Sequence, residues 1–319
     1  MRLFLGIDIG GTNIKLLVLD SRGREVVHGS IPSHADRSPR DAFSRIASEV
    51  SSLGVGRKAL IAAGVACAGL VDPVKGRLHS SPNLPAWQNA PLSRIASEYI
   101  GVHTIVDNDA NAAAYGEYYR GCGRGRGTLV CITLGTGVGG AIVTEGRLLR
   151  GSRNFAGEIG HMTLCETGPR CHCGNRGCLE AYLGAYALVR EARRLLARRR
   201  SRYLGRWVES GQELTPRLIA EAASSGDRIA LRVFEEAATH LGIAVANVVN
   251  IFNPDVVAIA GGVAQGFHLM KPRVQDEMRK RAFPESSRVA RIMRARLGTR
   301  AAAIGSALLA RQSVAGTLP

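Results

Sequence analysis

The chain lacks any run approaching the roughly 18 uninterrupted apolar residues of a membrane-spanning helix, which excludes that class of integral membrane protein. Its first stretch, MRLFLGIDIGG, has neither the apolar h-region nor the small-residue cleavage site of a secretory signal, and reads as a strand entering a glycine turn. Aromatic residues are sparse at 5%, and they do not interleave with the one dense basic run, 190–206, as base-stacking platforms would. Seven cysteines are an odd number, and three of them crowd into one short segment. A secreted disulfide framework is therefore not expected, and the cytoplasm is the expected compartment. Acidic residues are outnumbered, 26 against 42 Lys and Arg, for a formal net charge of +16. The excess is mostly arginine spread along the whole chain, so it reads as solvated basic surface, and no nucleic-acid partner is expected.

What the chain has in quantity is apolar residues, at 45%, and glycine, 38 in all. That balance suits an α/β protein with many tight strand-to-helix turns, and 319 residues suffice for two domains. Apolar runs predict strands over 3–9, 14–19 and 25–31, joined as a meander. Phe43, Ile46, Ala47 and Val50 give helical spacing across 38–53, and strands follow at 59–66 and 103–106, then an alanine-rich helix over 109–119. At Thr128 the plan restarts. Strands at 129–134 and 140–144 flank a glycine turn, long helices lead to 240–252, and a further strand lies at 256–260. IDIGGT (7–12) beside ITLGTG (132–137) is a weak internal repeat at about half the chain length. The expected organisation is an N-terminal α/β domain over 1–121 and a C-terminal α/β domain over 122–299. A helix near 300–312 would pack back on the first domain, and the two first hairpins would face a shared cleft.

Asp8, Gly10, Gly11, Thr12 and Asn13 stand directly after the first strand, with Lys15 just beyond. Glycines let backbone N–H groups approach phosphate oxygens, Thr12 adds a hydroxyl donor, and Asp8 is placed to hold Mg²⁺ through water. The turn opens a hairpin and not a helix, so it is neither a Walker loop nor a dinucleotide fingerprint. A second turn, Thr133 followed by Gly135, Thr136 and Gly137, and a third at Gly261-Gly262 raise the reading above that of an ordinary turn. Two phosphate turns and one nucleoside-facing turn describe an ATP site.

In VDNDAN (106–111) an acidic residue either caps the helix that follows or serves as a base. Phosphoryl transfer to a hydroxyl needs one group to accept the leaving proton, and Asp109 is the expected base, with Asn108 bonded to the acceptor. The loop SPNLPAW (81–87) reads either as packed surface or as a wall of a sugar pocket, with its indole and with Asn83 as a polar contact. The strongest single signal is 157–180, GEIGHMTLCETGPRCHCGNRGCLE. His161, Cys171, Cys173 and Cys178 supply the donors of a closed tetrahedral structural zinc site, which leaves no position for an activated water. Such a metal would fix the loop that presents Glu158 and Glu180 to a polar ligand.

Taken together, GIDIGGTNIK, SPNLPAW, VDNDANAAAYGE, LGTGVGGAIV, GEIGHM, CHCGNRGCLE and AIAGGV occur in an order that resembles the ROK family (repressors, open reading frames, sugar kinases), most closely its bacterial glucokinase branch. The resemblance spans nearly the whole chain. It implies the actin-like (ribonuclease H-like) ATPase fold, two domains with mixed sheets flanking a cleft that closes over ATP and a hexose. It implies that Asp109 takes the proton of the sugar 6-hydroxyl. Asn108, Glu158, His161 and Glu180 would hold the other hydroxyls, with Gly69 and Asn83 nearby, and His161, Cys171, Cys173 and Cys178 would hold zinc. Relatives are usually dimers or tetramers. Asn13 departs from the Lys that many members carry there.

The expected activity is ATP-dependent phosphorylation of glucose to glucose 6-phosphate. N-acetylglucosamine or N-acetylmannosamine as the acceptor, and polyphosphate as the donor, are the neighbouring enzyme readings. The family's sugar-responsive repressors carry a winged helix-turn-helix ahead of the kinase-like body. Here the first phosphate hairpin begins by residue 3 and Asp109 is intact, so the kinase reading is expected over the repressor.

Overall fold

The computed structural model describes residues 2–315. Apart from short 3₁₀ turns, its elements begin with β1 (Leu3–Ile9), β2 (Asn13–Asp20), β3 (Glu25–Pro32), α1 (Pro39–Ser52), β4 (Leu60–Cys67), β5 (Leu70–Asp72), β6 (Arg77–Ser80), α2 (Leu92–Ile100), β7 (His103–Asn108) and α3 (Asp109–Arg120). They continue with β8 (Thr128–Leu134), β9 (Val138–Thr144), β10 (Arg147–Leu148), α4 (Glu180–Leu183), α5 (Ala185–Leu196), α6 (Leu204–Glu209), α7 (Pro216–Ser224) and α8 (Arg228–Phe252). The last are β11 (Val256–Ala260), α9 (Phe267–Arg281), α10 (Pro284–Val289), β12 (Arg291–Arg294) and α11 (Ala301–Val314). Two compact units result. One gathers the residues up to Arg124, Gly146–Asn154 and those from Leu297 onward; the other is Gly125–Glu145 with Phe155–Arg296. The segment Gly146–Asn154 thus groups with the first unit, where the sequence reading had kept it in the second.

In the first unit the strand order is β3-β2-β1-β4-β7. β1 pairs antiparallel with β2 and parallel with β4, and is buried at every position except the half-buried Asp8. A strand covered on both faces reads as a continuous apolar run, which is why 3–9 was legible without alternation. On one face Leu5 and Ile7 pack with Phe43 and Ile46 of α1, Ile95 of α2 and Trp87. The opposite face carries α11, buried without a break from Ala301 to Ala310. Small residues let that helix lie close to the sheet: a Cβ at Gly64 would stand 2.0 Å from the Ser306 carbonyl oxygen. Gly64→Ala should therefore destabilise by about 1–3 kcal/mol through overpacking. A melting point several degrees below native is the expected reading (about 2–4 °C per kcal/mol for a unit of this size), and one within a degree of native would contradict it. The end of α3 is fixed by the buried Glu117, whose carboxylate accepts the backbone N–H groups of Cys122 (2.9 Å) and Leu297 (2.6 Å).

In the second unit β9, β8, β11 and β12 lie in that order, with β8–β9 antiparallel and the other pairs parallel. This repeats the β2-β1-β4-β7 plan, so the likeness of 7–12 to 132–137 has a structural counterpart. The 25-residue α8 forms much of the core with α9. Its N-cap, the buried Asp227, accepts from the N–H groups of Ile229 and Ala230 and from Ser201 Oγ and Tyr203 N, which also pins the arginine-rich segment after α5. Asp255 accepts from the N–H groups of Gly127 and Thr128 and fixes the start of β8. Among the described residues no helix is long and apolar enough to cross a membrane.

Candidate functional site

Candidate groups of the first unit collect at the ends of β1 and β7. The turn after β1 is closed by a hydrogen bond from Gly10 N–H to the Asn13 carbonyl. Lys15 Nζ stands 3.5 Å from Asp8 Oδ2 and donates to the Thr299 carbonyl at 2.8 Å. Burial pushes the Asp8 carboxyl up to about 6; the Lys15 ammonium pulls it down and the Asp109 carboxylate adds to the rise. Asn83 flanks the turn, close enough that a Cβ on Gly11 would meet its Cβ at 3.4 Å.

The structure shows which residue of 106–111 caps the helix. Asn108 is the N-cap of α3: its Oδ1 accepts from Ala110 N (2.8 Å) and Asn111 N (3.3 Å), while its Nδ2 donates to the Gly69 carbonyl (3.1 Å). One Nδ2 hydrogen remains for another acceptor. Asp107 is buried and fully engaged, accepting from Arg150 Nη2 at 2.6 Å, Asn111 Nδ2 at 3.0 Å and Asn108 N at 2.8 Å. Asp109 has no side-chain partner among the described residues. Burial raises its carboxyl above the ordinary range, and the N–H of Ala110, 2.9 Å from Oδ1, only partly offsets that. Neither the Arg150 pairing nor the Gly69 contact carries a local sequence signal, because the partners lie 43 and 39 residues away.

One reading of the 81–87 loop is corrected. Trp87 is a core residue and not a pocket wall: it is 1% exposed, its ring lies 6.3 Å from that of Phe43, and its indole N–H donates to the Arg37 carbonyl at 2.8 Å. Asn83 is exposed.

In the second unit Thr133, next to last in β8, pairs with Gly139, and the turn Gly135-Thr136-Gly137 follows Leu134, with Gly135 N–H bonded to the Gly137 carbonyl at 2.9 Å. Gly261-Gly262 turns the chain directly after β11, whose last residue, Ala260, pairs with Thr133. Beside the Gly135–Gly137 turn, linked to it by Glu180, is the cysteine cluster. The donor atoms of His161, Cys171, Cys173 and Cys178 lie within 4.8 Å of one another. His161 Nδ1 is 3.8 Å from Cys171 Sγ, and Cys173 Sγ is 3.8 Å from Cys178 Sγ. A tetrahedron with metal–sulfur bonds of about 2.3 Å has sulfur–sulfur edges of about 3.8 Å, so the donor set fits a closed metal site. His161 Nδ1 faces the cluster, and its Nε2 faces the exposed Glu158, whose Oε2 is 4.0 Å away. Glu180 Oε2 accepts from Val138 N at 2.9 Å, and Oε1 is 3.5 Å from Cys171 Sγ. That engagement, with the turn on one side and the cluster on the other, was not legible in the sequence.

The ROK family model matches residues 4–313. The chain belongs to the ROK family. A glucokinase of Halalkalibacterium halodurans is 35% identical to it, across 98% of this chain and 96% of that protein. A ROK glucokinase of Streptomyces griseus, solved in complex with glucose and AMPPNP, superposes with a TM-score of 0.79 at 33% identity, covering 97% of this chain and 99% of that one. A xylose repressor of Caldicellulosiruptor bescii is 32% identical across 88% of this chain and 70% of its own length. The fold is thus the α/β, actin-like ATPase fold of the ROK kinases.

Proposed function

We propose that this ROK protein is a hexokinase-type phosphotransferase that moves the γ-phosphoryl group of ATP to the 6-hydroxyl of a hexose, with glucose as the favoured acceptor. The observation that carries this reading is Asp109, a carboxylate with a raised pKa and no side-chain partner among the described residues, placed directly after the C-terminal end of β7. As the sugar O6 forms its bond to the γ-phosphorus and the bond from that phosphorus to the β–γ bridging oxygen breaks, the O6 proton passes to Asp109 and ADP leaves. Positioning and charge neutralisation supply most of the remaining rate enhancement. Gly10 and Gly135 close the two turns through their own N–H groups, and the backbone N–H groups of Gly11–Asn13 and Thr136–Gly137 would bind phosphate oxygens, with Thr12, Thr133 and Lys15 beside them and Gly261-Gly262 toward the nucleoside. Bound Mg²⁺ would neutralise charge on the β- and γ-phosphates, and Asp8 is the residue assigned to hold it. Zinc would be held by His161 Nδ1 and the three cysteine sulfurs as a structural ion, leaving His161 Nε2, Glu158 and the spare Asn108 Nδ2 hydrogen for sugar hydroxyls. Glu180, Gly69 and Asn83 complete the proposed set. The glucose and AMPPNP bound by the Streptomyces griseus relative support both substrates.

Similarity to the xylose repressor supports a second reading, a sugar-responsive regulator. ADP release measured by a coupled assay with glucose, mannose, fructose, N-acetylglucosamine and N-acetylmannosamine separates these readings. Glucose should give the highest kcat/KM. An N-acetylhexosamine in first place would change the substrate, and no release with any sugar would favour the regulator.

A further inference from the structure

Helix α4 lies between the cysteine cluster and the Gly135–Val138 turn, and it holds that turn at both ends. Glu180, its first residue, follows Cys178 by two positions, and Glu180 Oε2 accepts from Val138 N at 2.9 Å. Gly137 makes room for this carboxylate, since a Cβ there would stand 2.3 Å from Oε2. Just past the other end of α4, Ala185 N–H donates to the Gly135 carbonyl at 3.0 Å. The carbonyl of Val138, on the same strand edge as its N–H, is also close to the cluster's other segment. Gly160, the neighbour of His161, sits so close that a Cβ on it would be 1.8 Å from the Val138 carbonyl oxygen. Both chain segments that deliver metal donors, the one ending in His161 and the one ending in Cys178, therefore press on Val138.

From this geometry we infer that metal loading and nucleotide binding are coupled through Glu180. The inference rests on the proposed zinc and phosphate sites and adds a link between them. A metal ion that fixes Cys178 and His161 relative to each other also fixes Glu180 and Gly160 around Val138, so the turn is held in its phosphate-binding shape before the nucleotide arrives. Without the ion, the turn is ordered at the expense of nucleotide affinity. Glu180 acts here as a positioning residue, and its carboxylate is outside the metal donor set.

Calorimetric titration of ADP into the full-length protein, zinc-loaded and after chelation, reads the coupling. ADP should bind about tenfold more weakly after chelation, and zinc should bind tighter by the same factor when ADP is present, as linkage requires. Glu180→Ala should still take up zinc, with its two ADP affinities converging to within about twofold. Glu180→Gln, which still offers an oxygen to Val138 N–H, should restore the difference. Equal ADP affinities in the native protein, an unchanged difference in Glu180→Ala, or loss of zinc from that variant would each overturn the inference. A native protein that takes up no zinc or binds no ADP would instead overturn the functional reading beneath it.

Discussion

Asp109→Asn should lower kcat by about 10²–10⁴-fold, the usual worth of a positioned general base. The substitution keeps the shape of the side chain and an oxygen to accept the Ala110 N–H, so the start of α3 is preserved. Sugar binding should change little, because the missing function is proton acceptance during transfer and not a ground-state contact. The pH dependence gives a second check. A base must be ionised to act, and burial raises the Asp109 pKa, so native kcat should climb with pH along a limb centred above the ordinary carboxylate value of about 3.9. The variant should lack that limb. Stability runs the other way. Asp8, raised to about 6, and Asp109 both favour the protonated form in the folded state. Their contribution is fully present below the unfolded carboxylate pKa and is lost as pH rises through the raised values. Neutralising Asp109 should therefore raise the melting point at pH 7 and leave it nearly unchanged at pH 4.

Cys178→Ser should abolish metal uptake and raise the KM for the sugar steeply. Cys178 is fully buried and, without a metal, burial pushes its thiol up to about 12. A bound dication is what would hold it as thiolate, and a serine hydroxyl does not replace that donor. Free energies of structural zinc binding are on the order of 10 kcal/mol in small zinc modules. Losing the ion should loosen the loop between His161 and α4, and with it Glu158 and Glu180. Metal analysis of the purified proteins, with sugar KM and kcat measured in parallel, checks this. Fully active native protein without bound metal would contradict it.

The central strands were legible because burial on both faces gives long apolar runs: 3–9 and 256–260 coincide with β1 and β11. Helix α8 was read only from 240, although it begins at Arg228. Its first turns alternate charged and apolar residues after an Asp cap, and the cap is plain only once Asp227 is seen bonded to Ile229 and Ala230. Strand β12, Arg291–Arg294, was missed, since an edge strand of four residues with arginine at both ends has no apolar run to mark it. The metal cluster was visible because all its donors lie within 18 residues of chain, from His161 to Cys178. Tertiary pairings were not. Arg150 with Asp107 and Glu180 with Val138 join residues more than 40 positions apart, and Trp87 went into the core because its indole N–H found the Arg37 carbonyl.

Single-turnover transfer of the γ-phosphoryl group from ATP to glucose, measured side by side for the native protein and Asp109→Asn at saturating glucose, bears most directly on the central claim. The native protein should form glucose 6-phosphate at least about 100-fold faster than the variant, with glucose bound comparably by both. Transfer at similar rates in the two proteins would remove Asp109 as the base and, with it, the proposed mechanism.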